Sequence, residues 1–149
     1  MRTFKERLVN LVLLIGAGCS IASGAGVAGS EPVCADRNLN GAYGFNLNGV
    51  NFSVGQYAMV GRFVSDGKGR FEGSGTQNVK GTLSTAKFVG TFSIQADCTG
   101  TATLSFIGGP KATLEFVLVQ NGDQVYMIVT DQGTLETGTA IRQSSSKRK

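Results

Sequence analysis

From Gly41 onward the chain is written in period two, and it carries no stretch of helical periodicity long enough for a helix. Phe88, Gly90, Phe92 and Ile94 share one side of an alternating pattern, while Val89, Thr91, Ser93 and Gln95 share the other. Asp97-Cys98-Thr99-Gly100 reverses the chain, and Ala102, Leu104 and Phe106 then alternate with Thr101, Thr103 and Ser105. This is a β-hairpin with a cysteine in its turn. The same grammar recurs on both sides. Tyr43, Phe45 and Leu47 alternate with Gly44, Asn46 and Asn48, and Asp66-Gly67-Lys68-Gly69 and Asn121-Gly122-Asp123 are tight-turn signals. Gln56 to Val64 is apolar on both faces, which predicts an interior strand covered on both sides.

About eight short strands result, joined by connections too short for anything but antiparallel neighbours, so the simplest topology is a meander. Closing it into a barrel removes the exposed edges, and in-strand glycines at 61, 73, 75, 90 and 138 fit the coiling that closure needs. The expected fold is all-β, a single antiparallel eight-stranded meander β-barrel over residues 41–143, with a β-sandwich as the runner-up. Residues 29–40 are a lead-in.

Ahead of it, Arg2, Lys5 and Arg7 precede an apolar run from Leu8 to Ile15, and small residues follow through Ala28. This reads as a signal peptide over residues 1–28 that directs secretion or passage to the periplasm, because the apolar run is too short to span a membrane. Gly16-Ala17-Gly18 lacks the large aliphatic residue that a lipoprotein site carries before a cysteine such as Cys19. Cleavage leaves Cys34 and Cys98 as a pair in an exported chain, which predicts a disulfide. It also removes much of the basic charge. Most of the remaining excess sits in Lys147-Arg148-Lys149 of a Ser-rich tail, residues 144–149, so the folded part is close to neutral and shows no nucleic-acid footprint.

The run Leu39-Asn40-Gly41 with Tyr43 and Phe45, then Gly61-Arg62-Phe63 with Asp66-Gly67 and Gly69, then Gly90-Thr91-Phe92 leading to Asp97-Cys98-Thr99-Gly100-Thr101, resembles a group of small exported bacterial proteins frequent in acidobacteria-like genomes. More loosely, the architecture is similar to the allene-oxide-cyclase and lipocalin class of eight-stranded barrels. The resemblance implies a fold and supplies no catalytic residues.

The sequence has no histidine, which removes the commonest general base and metal ligand. With the two cysteines paired, a thiol nucleophile is excluded as well. Glu72, Glu115 and Glu136 fall opposite the apolar set in the alternation and are expected outside, where a carboxylate keeps its ordinary acidity. The acidic turns lack the carboxylate density of a calcium loop. Neither a metal nor a cofactor is called for.

The inner face remains, with Tyr43, Phe45, Tyr57, Met59, Phe63, Phe92, Phe106 and Phe116 as candidate lumen residues. A barrel of this size either fills its lumen with side chains or leaves space for one small hydrophobic molecule. Tyr43 and Tyr57 each need a partner for a phenol in an apolar setting, and a ligand can be that partner. The leading expectation is an exported non-catalytic ligand-binding module. A structural or adhesion domain and a lipid cyclase or isomerase are the alternatives, and a polar group pointing into a roomy lumen would favour the enzyme.

Overall fold

The period-two segments all form strands. The structure is a computed structural model that describes residues 33–144. The strands are β1 (Asn40–Asn51), β2 (Gly55–Asp66), β3 (Arg70–Val79), β4 (Thr82–Ile94), β5 (Thr99–Phe106), β6 (Lys111–Val119), β7 (Gln124–Val129) and β8 (Thr134–Arg142). Each pairs with the next in antiparallel register, and β1 pairs with β8 from Tyr43↔Arg142 to Asn51↔Thr134, so the sheet closes on itself. Closure leaves no edge strand. The sandwich alternative is thereby excluded. The signal reading over residues 1–28, Cys19, the first residues of the lead-in and residues 145–149 of the tail lie outside the described residues.

Turn chemistry does what its residues allow. Asp66 Oδ1 accepts from the amides of Lys68 and Arg70 at 2.7 and 3.0 Å, which holds its carboxyl below the ordinary range and leaves Gly67 and Gly69 at positive φ. At the β4–β5 turn Asp97 does the same for Thr99, while Cys98 sits in the left-handed region at φ 70°.

The β2 expectation needs correcting. Ala58, Val60 and Val64 are exposed, Val60 by 64%, whereas Tyr57, Met59 and Phe63 face the lumen. Among the described residues no second layer covers this wall of the single-sheet barrel, so a strand with two apolar faces leaves one exposed.

Inside, large side chains lie over glycines in neighbouring strands. A Cβ at Gly90 would stand 2.1 Å from Cζ of Phe71, one at Gly100 would stand 2.4 Å from Cζ of Phe116, and one at Gly73 would stand 2.6 Å from Cζ of Phe88. The glycines are the sockets for these rings. The rings then meet one another: Tyr43 stacks on Phe63 at 5.0 Å, and Phe88 makes edge contacts with Phe45 at 5.7 Å and Phe106 at 6.1 Å. The inner face of β3, nearly empty in sequence, is filled by side chains of its two neighbours, Phe63 and Met59 of β2 and Phe88 of β4.

One end of the barrel is closed. Cys34 is disulfide-bonded to Cys98, and the chain runs from there across the opening to β1. On the way Cys34 N donates to Ala96 O, Asp36 Oδ1 accepts from Ile94 N at 2.8 Å, and Asn38 Nδ2 donates to Asn121 Oδ1 at 2.7 Å. Leu39 turns inward and is buried with Phe92, Leu118 and Val125. Arg142 fastens the crossing, its Nη2 donating to Asn38 O at 2.8 Å, its Nη1 to Asn40 O, and its Nε pairing with Asp123 at 2.9 Å. The lead-in is therefore the floor of the barrel.

Candidate ligand-binding lumen

Above this floor the barrel is hollow. A cavity of about 490 Å³ opens at the end formed by the β1–β2, β3–β4, β5–β6 and β7–β8 turns, within the size range of small-molecule pockets. Of the residues singled out from sequence, Phe45, Tyr57, Met59, Phe63, Phe106 and Phe116 line it. Tyr43 and Phe92 do not. They belong to the packed layer beneath, where Tyr43 is fully buried and its hydroxyl donates to Gly122 O at 2.7 Å with the Arg142 guanidinium 5.0 Å from its ring centre. The partner that the Tyr43 phenol requires is a turn carbonyl.

Tyr57 is the phenol that faces the cavity. Its hydroxyl donates to Met59 Sδ at 3.1 Å and lies 3.5 Å from Gln77 Oε1. Gln77 in turn donates through Nε2 to Ser84 Oγ at 3.1 Å, which fixes its carbonyl toward Tyr57. Burial pushes the Tyr57 pKa up to about 12, helped by the negative charge of Glu136. It stays a neutral donor at any physiological pH.

Glu136 corrects the sequence reading, which placed it outside. It is 7% exposed, lines the cavity, and has no hydrogen-bond or ion-pair partner among the described residues. The cause is strand parity. Glu136, Gly138 and Ala140 point inward on β8, so Leu135 and Ile141 point out, 62% and 59% exposed. Register also places it usefully. Gly49 of β1 is paired with Tyr57 on one side and Glu136 on the other. Gly49 puts no side chain between them, and β8 packs so closely against it that a Cβ there would come within 1.9 Å of Leu135 O.

Desolvation raises the Glu136 pKa above the ordinary carboxylate value, and the charge of Asp131 at the cavity mouth adds to the effect. The folded protein therefore holds this proton more tightly than the unfolded chain. Glu136 consequently lowers stability as pH rises from the ordinary carboxylate range through its raised value, and the cost is full above that. Glu136→Gln is expected to stabilise the protein at pH 7.5 by on the order of 1 kcal/mol and to give no gain near pH 4. Paired thermal melts across this range check it, and a pH-independent difference would contradict it. Asp66 and Asp97, whose pKa values are lowered, contribute with the opposite sign in both proteins and cancel in the comparison.

Glu136 and Gln77 were missed as lumen residues. The small residues Gly138 and Ala140 carried the signal for Glu136, since in this barrel small residues mark the crowded inner wall.

No family model and no curated protein matches the chain. Among solved structures, a de novo designed barrel, described as a fluorescence-activating beta barrel, is similar with a TM-score of 0.55 at 12% identity, covering 72% of this chain and 96% of that one. At that identity the likeness is one of fold.

Proposed function

We propose that the protein is an exported, non-catalytic β-barrel that binds a small apolar molecule in its lumen. The observation that carries this reading is the half-filled interior: rings on glycine sockets pack the lower part, while Leu47, Met59, Leu104, Met127 and Val129 line a cavity that no side chain among the described residues fills. Empty apolar volume is costly, and a chain that can seat rings over glycines as tightly as this one has the means to fill it. The similar designed barrel is described as fluorescence-activating. Export is supported by the basic-apolar-small leader and by the disulfide, a bond of oxidising compartments. No described helix is long and apolar enough to cross a membrane. Arg62, Ser74 and Lys87 make one outward row across β2, β3 and β4, which favours a wall facing water over one facing lipid. Kinship with small exported bacterial barrels belongs to the same reading and rests on the turn and strand motifs.

A second reading, a cyclase or isomerase acting on a reactive lipid, is favoured by one observation, the cavity-facing Glu136 with its raised pKa. The neighbouring Tyr57, held at about 12, offers no base to complement it, which keeps binding ahead of catalysis.

The test is a fluorescence titration with the neutral probe 1-naphthylmethanol. Saturable binding is expected, weakened at least tenfold by Ala86→Phe, which places a ring into the cavity wall. Absence of saturable binding to the folded wild type by this alcohol and by the ammonium and carboxylate probes of the same shape would overturn the reading.

A further inference from the structure

We infer that the ligand of this lumen is an apolar molecule carrying one protonated amine, with Glu136 as its counter-ion and the Tyr57 ring and hydroxyl beside it. This rests on the lumen-binding reading and goes further by assigning the charge of the ligand. A carboxylate in an apolar wall is normally paired. Glu136 is 7% exposed and unpaired among the described residues, where the ion pair present is Arg142–Asp123 at the opposite end.

The surroundings supply acceptors and no cation for it. Tyr57 from β2 uses its proton on Met59 Sδ, and the lone pairs of its own oxygen and of Gln77 Oε1, 3.5 Å away, accept. Asp131 from the β7–β8 turn adds a second negative charge and spends Oδ2 on the Thr113 amide. Lys111 stands at the mouth without pairing with Glu136, and Lys87 faces outward on β4. An anionic ligand would meet two carboxylates. A neutral one would leave Glu136 uncompensated. An ammonium in the cavity between Tyr57 and Glu136 gains a carboxylate, a phenol oxygen and an aromatic face, while its apolar body lies among Leu47, Met127 and Val129.

Three probes of one shape isolate the charge: 1-naphthylmethylammonium, 1-naphthylmethanol and 1-naphthoate, titrated into the full chain as produced by its host and into Glu136→Gln at pH 7.5. In the wild type the ammonium is expected to bind at least tenfold more tightly than the alcohol and the naphthoate most weakly. In Glu136→Gln the ratio of ammonium to alcohol affinity is expected to fall to about one. Alcohol binding without an ammonium preference would overturn the inference and leave lumen binding standing. An ammonium preference that survives Glu136→Gln would overturn it too, assigning the charge to another group. Binding of none of the three would overturn the lumen reading and this inference together. Where Glu136→Gln does not fold, Glu136→Ala takes its place in the same comparison, and a wild type without an ammonium preference overturns the inference by itself.

Discussion

Replacing Cys34 and Cys98 with alanine is expected to lower stability by about 4 kcal/mol, because the bond closes a loop with a sequence separation of 64 residues. For a domain of this size that is a fall in melting temperature on the order of 15–20 °C. The position of the bond sharpens the expectation. It anchors the start of the strap that crosses the closed end, and after it the crossing is held by the Asp36–Ile94 and Asn38–Asn121 hydrogen bonds and by Arg142. Without the bond, Leu39 must be kept in the core by those contacts and by the Ser65 hydroxyl, which donates to Leu39 O at 2.6 Å. Thermal melts of the double variant and of the reduced wild type should agree. A fall of only a few degrees would mean that the strap docks independently of its covalent anchor.

The second large effect reverses an ordinary sign. Gly→Ala within a strand, at a backbone conformation alanine accepts, normally stabilises by limiting the unfolded chain. Gly90 is such a position, yet the three heavy atoms nearest to an added Cβ all belong to the Phe71 ring, at 2.1, 2.5 and 2.7 Å. Gly90→Ala is therefore expected to destabilise by roughly 2–3 kcal/mol, since the ring must leave its seat against Phe63 and Phe88. Phe71→Ala alone should cost about 3 kcal/mol. Combined, the two should cost less than their sum by at least about 1 kcal/mol, as neighbours sharing one contact do. Additive losses in denaturant unfolding would show that the ring and the glycine are not seated on each other.

Much of this architecture is legible in the residues. Alternation in β1, β4, β5 and β6, together with turns such as Asp66-Gly67-Lys68-Gly69, specifies strands and their antiparallel pairing, and the cysteine pair follows from the even count that the expected loss of Cys19 leaves. Parity is harder. On β8, Leu135 and Ile141 look like core residues, but the inner wall at that point takes Gly138, whose added Cβ would lie 2.3 Å from Asn46 O, and fully buried Ala140. Hydrophobicity alone assigns the strand to the wrong face, and Glu136 with it. Val60 and Val64 mislead in the same way on β2. The burial of Tyr43 was readable, whereas its partner, Gly122 O, lies 79 residues away and depends on how the β6–β7 turn folds over the floor. The division between a filled lower half and an open upper half depends on which rings reach which glycines, and no local pattern encodes that.

The central claim is an unfilled apolar chamber above a sealed floor, and the methionine methyl groups report on it directly. Met59 and Met127 both line the cavity. With ¹³C-methyl-methionine labelling and addition of 1-naphthylmethanol, both resonances are expected to shift, through ring currents, along one saturable curve. If neither methyl responds while the protein remains folded, the chamber does not admit a ligand and the account fails.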